Sequence, residues 1–483
     1  MALRPVRAMP QSNRTAVRAL GVALGWLPLL AGGAPPAGAG TVLPLGTDLG
    51  EEAFTRPREV FRSEAAGGHK SYMVLLGDVA FSSPRLLGTV ARQAGISCAT
   101  CHVNGTTNPL LYVPGLSTHP GNFDTTSAVF NPKTDDGILD PLTVPSLRGA
   151  HLLAPYGHDG RTLSLRDFVR NVVVNEFAGA EPPAQILDAL VIYIEDIDFA
   201  PNRRLGAGGR LVGAVTAAEQ RGRTLFFRPF AHDASLSCGG CHQPAEAFVD
   251  HRQHDVGSGG LYKTPTLLNA NFNAPYFHDG RFADYGEVVA YFDTVFRLGF
   301  SARDRTDLVA YLSAIGDGER AVIADDVDTR VRELTDFAVV LDTALPQHDA
   351  AAATLVVDAL NRELRELTEK FPERKDRAVT GGLAERSRAR SALKELVLSL
   401  HGLDDAIQAG RFEAAAAALG SYRAQLPPTV EAMRAARNWS LFDRPTHDAH
   451  FAALRQLYQA GADSASATTA SQLPPRPSMS PTN

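Results

Sequence analysis

"SCATCH" spans residues 97–102 and "SCGGCH" spans residues 237–242. Together they contain all four cysteines of the 483-residue chain, and a histidine directly follows each Cys-x-x-Cys pair. Cys-x-x-Cys-His is the attachment signature of c-type haem. The thiols of Cys98 and Cys101, and of Cys238 and Cys241, would form thioethers with the vinyl groups. The adjacent imidazoles, His102 and His242, are placed to ligate iron. Two motifs that use every cysteine predict two covalently bound haem c groups.

Two other chemistries use such pairs. A four-cysteine zinc site needs both pairs to converge from 140 residues apart and has no use for both histidines. A dithiol oxidoreductase needs a helix start in a βαβ setting, which the surrounding sequence does not suggest.

The motifs sit in repeated surroundings. Residues 143–161, "TVPSLRGAHLLAPYGHDGR", align with 263–281, "KTPTLLNANFNAPYFHDGR", with ten of nineteen positions identical. Each half then closes with an apolar helical stretch, "ILDALVIYIEDI" at 186–197 and "DLVAYLSAIG" at 307–316. The repeated unit is about 60–200 and again about 216–317, joined by the Gly/Arg linker "PNRRLGAGGRLVG". His102 and His158 are 56 residues apart, whereas His242 and His278 are 36 apart. The first copy therefore carries an extra 20 residues in a Pro/Gly/Asn-rich loop, of the kind that covers a pocket or meets a partner.

The whole chain has a net charge of −6, with no basic surplus to suggest nucleic acid. Residues 1–39 read as a signal peptide: Arg4, Arg7, Arg14 and Arg18, then the apolar run "ALGVALGWLPLLAGGA", then a small-residue site at Ala37-Gly38-Ala39. An uncleaved anchor is the other reading, but the run is short and broken by Pro28. Cleavage would remove four arginines and no acid, taking the charge to −10. The expected location is periplasmic, with no stable membrane span in the mature chain.

Residues 55–317 resemble the bacterial dihaem cytochrome c peroxidase and MauG-like superfamily. The resemblance rests on "GDVAFSSPRL", both CxxCH motifs, "KTPTLLN" and "APYFHDGRFADYGEVVAYF". It implies mostly helical cytochrome c domains, a peroxide-reducing haem, an electron-relaying haem, and calcium between the domains. It also implies a protein electron donor, a small cytochrome or cupredoxin. His102 and His242 become the proximal ligands. For the distal positions the resemblance points to His119, seventeen residues after His102, and to Tyr291, beside Phe292 where relatives carry methionine or tyrosine. His254 and His278 are further candidates for the second pocket. No methionine occurs between residues 74 and 432, so a His/Met haem would need Met73 or Met433. Glu176, fifteen residues after Arg161 and about two short of the spacing in relatives, is the best candidate for their catalytic glutamate, a helix-end salt bridge being the other reading. Arg161 and Arg281 are read as propionate-binding or capping residues. His158 stands where relatives place a tryptophan between the haems.

Residues 319–460 carry no haem motif and read as helices. Leu393, Leu396, Val397 and Leu400 follow helical spacing, and "EAAAAAL" at 413–419 favours helix. Breaks are expected at 345–347, 370–375, 379–382 and at "LPP", 426–428. The Ser/Thr/Pro-rich stretch 461–483 reads as disordered. The expected fold is mostly α: cytochrome c domains at 55–200 and 216–317, then a helical domain. The expected function is peroxidase-like oxidoreduction. A non-catalytic electron-transfer cytochrome and MauG-like oxidation of a partner protein are the alternatives, which kinship alone does not separate.

Overall fold

The structure is a computed structural model that describes residues 43–50, 58–65, 67–318, 326–373, 379, 381–450 and 452. The expected signal peptide and the C-terminal tail lie outside the described residues. The described residues all belong to one compact unit. It is mostly helical, with only two-residue strands among the described residues.

The repeat seen in sequence is a repeat in packing. In the first half, helix Tyr72–Ser82 starts where the Ser71 hydroxyl accepts from the Val74 N–H. It packs on helix Ala184–Asp196. In the second half, helix Ala217–Phe226 starts at a capping box between Thr216 and Glu219 and packs on helix Ala302–Ile315. Each crossing is made close by one glycine. A Cβ on Gly77 would lie 2.1 Å from the Ala189 carbonyl oxygen, and one on Gly222 would lie 1.9 Å from that of Asp307. A side chain at either position would push the helices apart.

Short ladders complete each half. Asn122–Phe123 pairs antiparallel with Leu142–Thr143, and Gln253–His254 pairs with Tyr262–Lys263. The extra residues of the first copy divide around its ladder, nine before it and eleven in the connection between its strands.

The C-terminal region is helical over Val327–Ala344, Ala350–Glu369, Leu383–Gln408 and Phe412–Ala436. Leu393, Leu396 and Leu400 are fully buried and Val397 packs beside them, as the spacing predicts. Three of the expected breaks fall between these helices. The fourth is corrected: Pro427 and Pro428 lie inside the last helix. Proline removes an N–H from the ladder and crowds the preceding turn. Just after the two prolines the Thr429 hydroxyl donates to the Gln425 carbonyl at 2.9 Å. Buried Tyr422, Val430 and Met433 hold the helix against the bundle on both sides of the prolines.

Although the C-terminal helices follow the second half in sequence, they share their core with the first. One apolar cluster runs from Leu76 and Val79 through Leu190 to Leu334, Leu360 and Leu396. The second half has a separate cluster around Phe226, Phe248, Leu308, Tyr311 and Ile315. At the seam with the first half, Asp358 accepts from the Ser83 hydroxyl at 2.6 Å and the Arg85 N–H at 2.8 Å. Buried charges also meet there. Glu363 receives Arg330 at 3.3 Å and Arg362 at 2.9 Å, and burial pushes the Glu333 carboxyl upward.

Candidate haem sites

Each CxxC forms a single helical turn, Cys98–Cys101 and Cys238–Cys241. Residues three apart on such a turn share a face, so both thiols of a pair can meet one planar group. At the first turn the Thr100 hydroxyl accepts from the Ser97 N–H at 3.1 Å; at the second the Ser237 hydroxyl accepts from the Gly240 N–H at 3.0 Å. No disulfide joins any two of the four cysteines. Burial pushes Cys98 and Cys238 up to about 12. Dithiol redox chemistry needs the opposite shift, toward thiolate, so these pairs are ill suited to it. The zinc alternative also fails on geometry. Among the described residues, the one cluster of three metal-ligating side chains is Cys241, Asp250 and His254, within 4.8 Å, and it leaves out the first pair entirely. That mixed sulfur, oxygen and nitrogen set is also unlike the oxygen shell of calcium.

The histidines are oriented alike. His102 Nδ1 lies 3.0 Å from the Pro145 carbonyl oxygen. His242 Nδ1 lies 3.1 Å from that of Phe248, with the carbonyl of Pro265, the repeat partner of Pro145, also bonded to the ring. A carbonyl only accepts, so Nδ1 carries the proton and Nε2 is left with its lone pair. This is the tautomer and second-shell arrangement of a metal-ligating histidine. Burial lowers His102 to about 4 and lowers His242 too, keeping both rings neutral. Matching aromatic stacks back them. Phe81 lies 6.2 Å from the His102 ring and 5.1 Å from Tyr193; Phe226 lies 6.4 Å from His242 and 5.3 Å from Tyr311.

Both motifs open on one cavity of about 650 Å³, a volume typical of cofactor sites. Its wall includes all four cysteines, His102 and His242. Where the halves meet, it is walled by Thr143, His158, Tyr262, Lys263 and His278. The seam is reciprocal. Thr143 N–H donates to the His278 carbonyl at 2.8 Å, and Lys263 N–H donates to that of His158 at 2.8 Å. His158 Nε2 donates to the Thr143 carbonyl at 2.7 Å, and the Tyr262 and His278 rings stack 3.8 Å apart. Paired thiols on one turn, neutral imidazoles presenting Nε2 and a cavity shared by both fit haem in each half.

The remaining candidates lie differently. Glu176 ends the wide turn Val172–Glu176, a π-helical segment. Val172, Val173 and Phe177 face the cavity, but the Glu176 carboxylate does not. It accepts from Arg161 at 3.3 Å and Asn171 at 3.4 Å. His119 also lies off the wall, with Nδ1 3.0 Å from the Pro120 carbonyl oxygen and Nε2 3.2 Å from the Asn122 amide nitrogen. Tyr291 donates to the Val256 carbonyl at 2.8 Å, and its neighbour Phe292 takes the cavity face. His254 does face the cavity, with Nε2 2.7 Å from the Asp250 carboxylate. Neither Met73 nor Met433 lines it. Arg161 and Arg281 pair with Asp159 and Asp279 of their own turns. Lys263 and the carbonyls behind His102 and His242 escaped the sequence reading. The repeated Thr/Lys-x-Pro at 143–145 and 263–265 was the available signal.

Residues 216–429 match the family model of di-haem cytochrome c peroxidases. Over these residues, less than half of the chain, it is similar to that family. The match runs from the second haem motif into the C-terminal helices, beyond the limit of the resemblance at 317. The chain is 27% identical over 236 residues to hydrazine synthase subunit gamma of Kuenenia stuttgartiensis, covering 44% of this chain and 58% of that one. It is 40% identical over 83 residues to cytochrome c551 peroxidase of Pseudomonas aeruginosa, covering 16% of this chain and 24% of that one. The chain thus spans less than two thirds of either curated relative. A solved structure of Kuenenia stuttgartiensis hydrazine synthase superposes with a TM-score of 0.38 at 21% identity, over 63% of this chain and all of that one. The family supports a haem-dependent oxidoreductase. No helix among the described residues is long and apolar enough to cross a membrane.

Proposed function

We propose that this is a periplasmic dihaem c-type cytochrome that reduces peroxide, organised as tandem haem domains, 55–200 and 216–317, with a helical domain at 319–460. The carrying observation is the shared cavity, onto which two histidines present Nε2 while carbonyls hold Nδ1. Cys98 with Cys101, and Cys238 with Cys241, would anchor one haem each. When bound, the haems supply the redox chemistry, passing electrons from a small cytochrome or cupredoxin to peroxide. One peroxide, two electrons and two protons give two waters.

The chain's own part is to hold iron, move a proton and keep the site dry. Glu176 is the group we assign to carry a proton from one peroxide oxygen to the other. Its carboxylate must turn from Arg161 and Asn171 toward the cavity, and the wide turn that ends at Glu176 is the segment that permits this. His119 and Tyr291 would act as distal ligands only after leaving Asn122 and Val256. As placed, both side chains are held by these contacts rather than turned to the cavity.

The test is spectroscopy of the haem-loaded full chain. A high-spin, five-coordinate signal that changes on adding peroxide supports the reading. Two low-spin haems inert to peroxide, both oxidised and half-reduced, overturn it in favour of a pure electron-transfer cytochrome. Peroxide consumption that requires a co-purifying protein would instead point to MauG-like oxidation of a partner.

A further inference from the structure

The seam of the cavity holds one charge that the duplication does not mirror. Thr143 and Lys263 occupy the same position in the two copies. Each crosses by its backbone to the other half. Only Lys263 brings an ammonium. Its Nζ donates to the carbonyls of Leu153 at 2.8 Å and Pro155 at 2.6 Å, both in the turn that closes the first half's site.

Beyond the Tyr156 ring, whose centroid lies 6.0 Å from Nζ, two features show that the protein supplies this charge with no acid. Among the described residues, Lys263 has no carboxylate within ion-pair distance. Burial lowers it to about 8, with no acid offsetting the shift. Removing an ammonium from water without a counter-charge is costly, and a fold normally supplies one. An ammonium also has three donors, and two carbonyls use only two. Lys263 is among the residues that line the cavity, so a ligand seated there lies beside this charge and its remaining donor.

We infer that Lys263 binds a carboxylate of the group seated in the first half of the cavity, and so distinguishes electrostatically two sites that are otherwise copies. The inference rests on the proposal that both motifs carry haem. The carboxylate comes either from a propionate of the haem held by Cys98 and Cys101 or from a free carboxylate ligand beside it. A positive charge held there favours the reduced iron of that site, so the first haem is the one whose potential depends on Lys263.

The experiment uses the haem-loaded full chain with Lys263→Met, Lys263→Gln and Lys263→Arg. The haem content per chain is counted first as the pyridine haemochrome. Redox potentiometry then follows both haems, with and without added acetate as the free carboxylate probe. We expect two haems in every form. One midpoint potential should move negative in Lys263→Met and Lys263→Gln, stay near wild type in Lys263→Arg, and not respond to acetate. A wild-type potential that shifts with acetate, absent in Lys263→Met, retains the site and assigns its carboxylate to solution. Unchanged potentials in both neutral variants, or equal shifts of both haems, overturn the inference while the haem reading stands. Fewer than two haems in wild type would instead fell the haem reading itself.

Discussion

The Nδ1 of His102 stands 3.0 Å from the carbonyl oxygen of Pro145, forty-three residues away. That contact leaves Nε2 with its lone pair, the atom that would ligate iron on the proposed reading, and ties the motif to the repeated segment downstream. His102→Gly should therefore leave the first haem attached through Cys98 and Cys101 while removing its proximal ligand. The expected result is an altered spectrum for one haem of two, restored by millimolar imidazole. An unchanged spectrum would remove His102 from the iron.

Peroxide turnover should depend on Glu176. Positioned acid–base groups contribute about 10²–10⁴-fold, so Glu176→Gln should lower peroxide-dependent oxidation of a reduced cytochrome by about 100-fold with both haem spectra intact. Wild-type turnover in this variant would confine Glu176 to its contacts with Arg161 and Asn171.

Acid should loosen the seam through His158. Burial lowers this histidine to about 4, and the nearby charges of Lys263 and Arg161 act in the same direction. The unfolded chain takes up the proton near pH 6.5, whereas the folded chain refuses it until about pH 4. The resulting stability is present above pH 6.5 and is lost as pH falls toward 4. It amounts to about 1–3 kcal/mol. Denaturant melts from pH 7 to 4.5 should show this slope, and His158→Gln should flatten it. An equal slope in the variant would show that other groups set the acid sensitivity.

The helix crossings should tolerate no side chain. At Gly222 a Cβ would sit 1.9 Å from a backbone oxygen. Overpacking of this kind costs about 1–3 kcal/mol, so Gly222→Ala should lower the melting temperature by several degrees. Gly77→Ala should act in the same direction. A melting temperature unchanged in both would show that the helix pairs can part without cost.

Motif chemistry is local, and local information was enough for much of this protein. A nineteen-residue stretch that recurs after 120 positions and leucines at helical spacing specify the duplication and the helices by themselves, and four cysteines in two CxxCH strings carry the expectation of haem attachment. Proximity between distant residues was not legible. His119, Glu176 and Tyr291 have suitable spacings, yet their polar atoms bond to Asn122, Arg161 and Val256. Spacing says how far along the chain a group lies, not which neighbour takes its hydrogen bond. Pro427 and Pro428 read as a break because propensity is local; packing of Tyr422, Val430 and Met433 in the bundle carries the helix through. Only the tertiary structure joined the two motifs in one cavity, attached the C-terminal helices to the core of the first half and delivered Lys263 to the Leu153 and Pro155 carbonyls. Those outcomes depend on which apolar faces meet and which buried charge finds a partner, and residues far apart in the chain decide both.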